Sequence, residues 1–181
     1  MRLEQVRVEV VEVPFREPII SGAGQWEAQR AGIVVLDTDD GRRALGEFVA
    51  ARPGDLGEDV SPRLHRALEG LEMADPVAVE GVLREIDSWA LVGHAARSGV
   101  ESAFVDLLAQ VNGRPVRTFL DPEAADEVSV NAMLGIELPE SAATTASAFV
   151  AEGYRCLKLK AGDEAEGALE ARVRAVREAV G

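Results

Sequence analysis

The chain has 181 residues, 47% of them hydrophobic, which suits one medium domain or two small ones. Its 32 acidic and 19 basic residues give a net charge of -13, which argues against nucleic acid and anionic membrane surfaces as partners. The single cysteine, Cys156, and the two histidines exclude an intramolecular disulfide and a Cys/His zinc site. No segment approaches the roughly 20 apolar residues of a membrane span, so we expect a cytoplasmic protein.

The first fifty residues alternate between apolar and charged side chains, which is the period of half-buried strands. This alternation predicts strands over 2–13, 29–38 and 42–49. Pro14, Pro18 and the loop Gly22-Ala23-Gly24 are expected to interrupt the pattern, and Asp39-Asp40-Gly41 is a strong hairpin turn sequence. The segment is therefore predicted to form an antiparallel meander.

Helical spacing follows the predicted sheet. Ser61-Pro62 pairs a cap residue with a proline suited to the first helical position, ahead of leucines at helical spacing. Further helices are predicted over 79–89 and 93–111, the last ending at Asn112-Gly113, where a left-handed cap forms easily. A sheet followed by a group of helices is typical of an α+β domain.

The last third of the chain alternates between strand and helix patterns. Strands are predicted over 128–134 and 155–160, and helices over 139–152 and 163–180. This order predicts a parallel sheet with helical crossovers. Two strands with two helices cannot close this sheet into an eight-stranded barrel, which needs about 250 residues by itself.

Lys158 and Lys160 are the strongest functional lead. Residues two apart in a strand share a face, so both amines point one way and Leu157 and Leu159 point the other. Two cations on a central strand are unfavourable, because both must be desolvated and they repel each other. Their presence there favours a bound group that is anionic or reactive. On pattern alone, a solvated strand edge is the commoner explanation.

Other polar residues give weaker signals. Neither His65 nor His94 has an acidic or nucleophilic residue at a spacing typical of a catalytic pair, so packing or surface roles are expected. Cys156 shares the face of the lysines but is interpreted as a small buried hydrophobe. The loop Gly22-Ala23-Gly24 does not match a dinucleotide fingerprint, and a tight connection between strands explains it more simply.

The order of elements, with Lys-x-Lys at the end of the second parallel strand, resembles the enolase superfamily over the whole chain. Within it, the chain is most similar to the o-succinylbenzoate synthases. The segments that carry this second resemblance are Val13-Pro14-Phe15-Arg16-Glu17-Pro18, residues 41–50 with Gly46-Glu47, Ala103-Phe104-Val105-Asp106-Leu107-Leu108, and Gly113-Arg114-Pro115-Val116.

The resemblance implies a fold and an activity. The fold is an α+β capping domain over residues 1–120, followed over residues 121–181 by the start of an α/β (TIM-type) barrel, truncated after two strand-helix units. The activity is a Mg²⁺-dependent dehydration in menaquinone biosynthesis, which is carbon–oxygen lyase chemistry. Lys160 would act as general base and acid, and Lys158 would support it electrostatically and favour its neutral form. Mg²⁺ would stabilise the enediolate, with its ligands beyond Gly181 and none within this chain.

The resemblance also assigns roles in the capping domain. The loop over 15–26 would fold over the active-site mouth and shape specificity, so Ser21, Gly22 and Gly24 are candidate substrate-binding residues. Glu47 is interpreted as part of the capping-domain structure and Asp106 as pairing on a helix surface, both without a metal role.

Two alternatives remain open. An N-acylamino acid racemase or another epimerase of the superfamily would use the same Lys160 against a lysine on the opposite face of the substrate. A different class is a non-catalytic folding or association fragment, since an unclosed sheet invites self-association. For the synthase and for the racemase, the binding partner is a small-molecule carboxylate substrate. The 181-residue chain alone is predicted to be inactive.

Overall fold

The computed structural model of the chain describes residues 1–22, 24–49, 60–89, 93–162 and 164–181, and these form two compact units. The first unit holds residues 1–13 and 30–124, and the second holds residues 14–29 and 125–181. The second unit therefore contains the hairpin tip, which we define as residues 14–29, together with the predicted strand-helix segments. None of the helices in the described ranges is long and apolar enough to cross a membrane.

The N-terminal sheet has the strand order β1-β2-β3, with bounds Leu3–Ser21, Gly24–Thr38 and Arg43–Val49. β2 and β3 are antiparallel, with Asp37 opposite Arg43. The predicted antiparallel meander is confirmed, but the predicted interruption at Pro14 and Pro18 is wrong because β1 continues through both. β1 is an edge strand, where a residue without an N–H is tolerated.

Four helices follow in the first unit: α1 Val60–Leu68, α2 Pro76–Asp87, α3 Gly93–Val111 and α4 Val116–Leu120. The predicted bounds of α3 are confirmed. α2 begins earlier than predicted because Asp75 caps it, accepting hydrogen bonds from the N–H groups of Val77 and Ala78, and Pro76 occupies its first turn. Ser61 lies within α1, and its hydroxyl accepts a hydrogen bond from the Val8 N–H of β1.

The core of the first unit joins all three strands to α1, α2 and α3 through buried aliphatic side chains and Phe48. The Asp106 carboxylate of α3 accepts a hydrogen bond from the Leu45 N–H of β3 at 2.8 Å. Gln110, one turn later, donates to the Arg43 carbonyl oxygen at 2.8 Å. α3 therefore satisfies main-chain groups of an edge strand as well as covering its apolar face.

The second unit contains two strand-helix pairs: β4 Ala132–Leu134, α5 Pro139–Ala151, β5 Leu157–Leu159 and α6 Ala168–Val180. β4 and β5 are parallel, which confirms the predicted crossover arrangement. Both strands are shorter than predicted, and Val128 and Val130 are exposed rather than paired in β4. The predicted start of the last helix, Asp163, lies outside the described residues, and α6 begins at Ala168.

Candidate active site at the ends of the parallel strands

β4 and β5 end at the same edge of their sheet because they are parallel. The Lys160 N–H donates to the Leu134 carbonyl oxygen at 2.9 Å, which extends the ladder one residue beyond β5. Lys160 therefore lies at the carboxyl ends of both strands. In barrels built from parallel strands, this end is the one that carries catalytic groups.

The two faces of this small sheet differ in polarity. Leu157 and Leu159 pack on the helical side, against a cluster that includes Leu134 and Val176. Lys158 is opposite Met133 in the ladder, and both side chains are exposed. Because side chains alternate, Lys160 lies on the face of Lys158, away from the helices, and it is half-buried.

Lys158 and Lys160 are also the only lysines in the sequence, and the other seventeen basic residues are arginines. Arginine stays protonated in proteins, whereas the amine of lysine can lose its proton and act as a base. A chain that uses arginine everywhere else and lysine only at this edge points to amine chemistry there. This signal is present in the sequence itself and needs no structure.

The hairpin tip contacts the same strand ends. Just beyond β4, the Ile136 N–H donates to the Ile20 carbonyl oxygen at 2.9 Å. Just beyond β5, Gly162 lies so close to the tip that a methyl group on it would be 2.8 Å from the Cα atom of Gly22. Backbone atoms thus hold the tip beside Lys160.

The predicted substrate-binding residues lie in this tip. The Ser21 hydroxyl is 3.5 Å from the Gly24 carbonyl oxygen, and Gly24 has a φ of 120°, a value that favours glycine. Ala23, between them, lies outside the described residues. The structure brings Gly22 to the end of β5, and a role of the three residues in binding stays a prediction.

An ion pair between Arg172 and Glu164 contacts the backbone at the strand ends. Arg172 of α6 is 1% exposed, and its terminal nitrogens contact the Glu164 carboxylate at 2.6 and 2.9 Å. Its Nη2 also donates to the Lys160 carbonyl oxygen at 2.7 Å, and Nη1 lies 3.5 Å from the Glu137 carbonyl oxygen. Hydrogen bonding to Arg172 lowers the pKa of the Glu164 carboxyl, although burial opposes the shift.

The sequence analysis missed Arg172. In the sequence of α6, Leu169, Val173 and Val176 have the helical spacing of an apolar stripe, yet Val173 is 41% exposed and Arg172 is buried. The available signal was position, because Arg172 stands three residues after Leu169 and four before Val176, on the stripe. A charged residue on the apolar stripe of a helix is expected to have a buried partner.

No ligand set for a metal ion is visible in the described ranges, where no group of three or more His, Cys, Asp or Glu side chains is placed to hold one. The Mg²⁺ that the superfamily resemblance implies is therefore not assigned to residues of this chain.

Both histidines contact neighbouring groups of the first unit. The Nδ1 atom of His65 lies 3.2 Å from the Val6 carbonyl oxygen, and His94 contacts Asp87 on the surface. The interpretation of Cys156 as buried is wrong. Cys156 precedes β5 on the face of the lysines, which the helices do not cover.

A family model settles the relationship of the chain to known proteins. The model for the mandelate racemase/muconate lactonizing enzyme N-terminal domain matches residues 4–120. The chain belongs to this family. It is thus a member of the enolase superfamily, with an N-terminal capping domain followed by the first strand-helix units of a barrel, as the sequence analysis predicted.

Relatives with assigned activities are similar to this family member over nearly all of its length. It is 29% identical to the hydrophobic dipeptide epimerase of Enterococcus faecalis and 26% identical to the N-succinyl-L-Arg/Lys racemase of Bacillus cereus, in both cases over 100% of the chain. It is 28% identical to the cis-3-hydroxy-L-proline dehydratase of Roseibium aggregatum over 98%. The chain spans 51%, 50% and 49% of these proteins, about half of each.

Solved structures show the same relationship. The dipeptide epimerase of Enterococcus faecalis, complexed with Mg and L-Leu-L-Tyr, matches 100% of the chain with a TM-score of 0.87 and 28% identity. An enolase from Streptomyces coelicolor, described as a putative sugar isomerase, matches 99% with a TM-score of 0.84 and 27% identity. The match covers 51% and 50% of these two proteins.

Proposed function

We propose that this protein is a racemase or epimerase that inverts the carbon next to a carboxylate, with Lys160 as one of its two proton-transfer groups. One observation carries the proposal. The only two lysines of the chain lie at the carboxyl end of a parallel strand pair, beside a hairpin tip held there by backbone contacts. The racemase and epimerase names of the relatives favour this activity over the synthase hypothesis.

The chemistry follows from the two amines. Lys160, as a neutral amine, takes the proton from the α-carbon, and the C–H electron pair moves into the carboxylate as an enediolate. The Lys158 ammonium, on the same face, stabilises that added negative charge. A base on the opposite face of the substrate, outside these residues, returns a proton with inverted configuration. The hairpin tip covers the strand ends and contributes Ser21, Gly22 and Gly24 to the substrate pocket.

Mg²⁺ is proposed as the cofactor, because the dipeptide epimerase of similar fold was solved with Mg and a dipeptide. When bound, it would supply positive charge to the substrate carboxylate. Since the described residues offer no ligand set, we assign no step of this chain to the metal.

The names of the relatives also suggest a substrate class. A succinylated amino acid and the C-terminal residue of a dipeptide are both amino acids acylated on nitrogen, with a free carboxylate. We therefore propose an N-acylated amino acid, in which the acyl group is an organic acid or a second amino acid.

The o-succinylbenzoate synthase hypothesis is the weaker candidate. It rests on the resemblance of residues 13–18, 41–50, 103–108 and 113–116, and on the presence of a dehydratase among the relatives. Elimination begins with the same proton abstraction, so Lys160 would keep its role while the product changed.

The test uses the protein purified at its native length. It would be incubated in D₂O with Mg²⁺ and N-succinyl amino acids, dipeptides or the cyclohexadiene carboxylate, and followed by NMR and chiral chromatography. We expect α-deuteration and inversion of at least one N-acylated amino acid. Lys160→Ala should lose the inversion and the α-deuteration of the epimer whose α-proton faces Lys160. Dehydration without any inversion would establish the synthase instead, and full activity of Lys160→Ala would refute the assigned base.

A further inference from the structure

The buried pair Arg172–Glu164 lies where both parallel strands end. Arg172 reaches from α6 to the carbonyl oxygen of Lys160, at the end of β5, and lies within 3.5 Å of the Glu137 carbonyl oxygen, beyond the end of β4. Its two terminal nitrogens also contact both carboxylate oxygens of Glu164. One planar group thus connects both strand ends and the loop that follows Lys160.

Stability alone does not explain this pair. Burying two charges has a desolvation cost that an ion pair often fails to recover, and apolar residues of similar size are commonly as stable. The Nε atom of Arg172 is buried without a hydrogen-bond partner, which adds to that cost. Since an apolar residue would suit the stripe of α6, the arginine points to a requirement at the strand ends.

The residues that Arg172 contacts lie close in sequence to the residue that meets the hairpin tip. Gly162 lies two residues from both Lys160 and Glu164, which Arg172 contacts, and it is the residue packed against Gly22. Arg172 therefore contacts residues on both sides of Gly162, the residue that meets the tip. Guanidinium and carboxylate groups form two parallel hydrogen bonds, which fix orientation as well as distance.

We propose that Arg172 and Glu164 are positioning residues that hold the backbone of Lys160 and the docked hairpin tip in one arrangement. The role in catalysis rests on the proposed function, in which Lys160 is the base, but the role in placing Lys160 does not. Small displacements matter at such a site, because a shift of about 1 Å can lower a rate on the order of 100-fold.

The first test measures the placement of Lys160 without any activity. Within these 181 residues, amine-specific reductive methylation modifies only the N-terminus, Lys158 and Lys160, and peptide mass spectrometry gives the labelling ratio of Lys160 to Lys158 directly. Lys158 is an internal reference, since both lysines gain reactivity equally when the fold opens globally. We expect Arg172→Met to change the ratio at least about twofold, and Arg172→Lys and Glu164→Gln to change it less. The control is Arg174→Met, which alters an exposed arginine of the same helix and should leave the ratio unchanged.

Folding is checked by urea unfolding, and Glu164→Gln serves if Arg172→Met does not fold. A ratio that stays at the wild-type value in folded Arg172→Lys and Glu164→Gln overturns the proposal. A ratio that changes equally in Arg174→Met overturns it as well, because the effect would then not be specific to the buried pair.

The second test measures proton transfer in the native-length protein. If Lys160 is displaced, deuterium exchange should fall about tenfold or more for the epimer whose α-proton faces Lys160, and less for the other epimer. Loss of stability alone would lower both rates equally, and this result overturns the catalytic part of the proposal. If the labelling ratio changes while Lys160→Ala keeps full activity, the proposed function fails and the positioning of Lys160 stands.

Discussion

Gly46 of β3 lies directly against Gly99 of α3. A methyl group on Gly46 would be 1.9 Å from the Gly99 carbonyl oxygen and 2.6 Å from the Ala103 nitrogen. Gly99 itself faces Phe48 and Val34, with its own missing methyl group 2.8 Å from the Phe48 ring. The helix and the strand therefore approach each other at positions that have no side chain. Backbone atoms set the distance between them.

Gly46→Ala should destabilise the first unit by about 3 kcal/mol or more, because neither backbone can yield without separating α3 from β3. Urea unfolding monitored by far-UV circular dichroism measures the change. The matched control is Gly81→Ala in α2, where a methyl group meets nothing within 4 Å. That variant should gain up to about 1 kcal/mol from helix propensity. Equal effects of the two substitutions would contradict the packing argument.

A second prediction concerns the hairpin tip. A methyl group on Gly162 would lie 2.8 Å from Gly22 Cα, whereas one on Gly22 would lie 3.1 Å from Gly162 Cα. Gly162→Ala should therefore displace the tip more than Gly22→Ala. The Ile136 amide, which donates to the Ile20 carbonyl oxygen, reports the displacement by faster hydrogen exchange. The reverse order of the two variants would count against close backbone packing at this contact.

The elements most accurately predicted from sequence were those set by local pattern. The bounds of α3 follow from a long apolar stripe and from Asn112-Gly113, where Gly113 has a φ of 62°. The Lys158/Lys160 face follows from the period of a strand. β1 was predicted too short because prolines were treated as breakers, which is correct in a central strand but not at an edge.

Features that depend on distant contacts could not be predicted in the same way. Burial of Arg172 requires carbonyl oxygens of residues 12 and 35 positions away in the sequence. The close approach of Gly162 to Gly22 requires the hairpin tip to reach the end of β5. Neither contact leaves a local periodic pattern, so tertiary structure was needed to reveal how the strand ends are held.

A third prediction is an acid dependence. The Arg172 guanidinium holds the pKa of the Glu164 carboxyl below its ordinary value of 4.5. A carboxyl with a lowered folded-state pKa stabilises the fold fully above its ordinary value, and the contribution is lost as the pH falls through the lower pKa. Glu164→Gln should therefore reduce the acid-induced loss of stability below about pH 4.5, measured as urea midpoints between about pH 3 and pH 7.

The control for the acid dependence is Glu166→Gln, which alters an exposed carboxylate in the same loop. It should leave the pH profile of the urea midpoint near that of the wild type. If Glu164→Gln and Glu166→Gln give the same profile, the buried ion pair does not determine the acid dependence.

A fourth prediction separates charge from basicity at the two lysines. Arginine keeps the positive charge but cannot become a neutral base at ordinary pH. In the native-length protein, Lys160→Arg should lower the turnover number by about 10³-fold, in the range of a lost general base. Lys158→Arg should cost far less because it preserves the cation beside the developing enediolate, whereas Lys158→Met should cost more than Lys158→Arg. The turnover numbers of the three variants are measured with an N-acylated amino acid by chiral chromatography. Comparable activity in the two arginine variants would show that Lys160 acts by charge and not as a base.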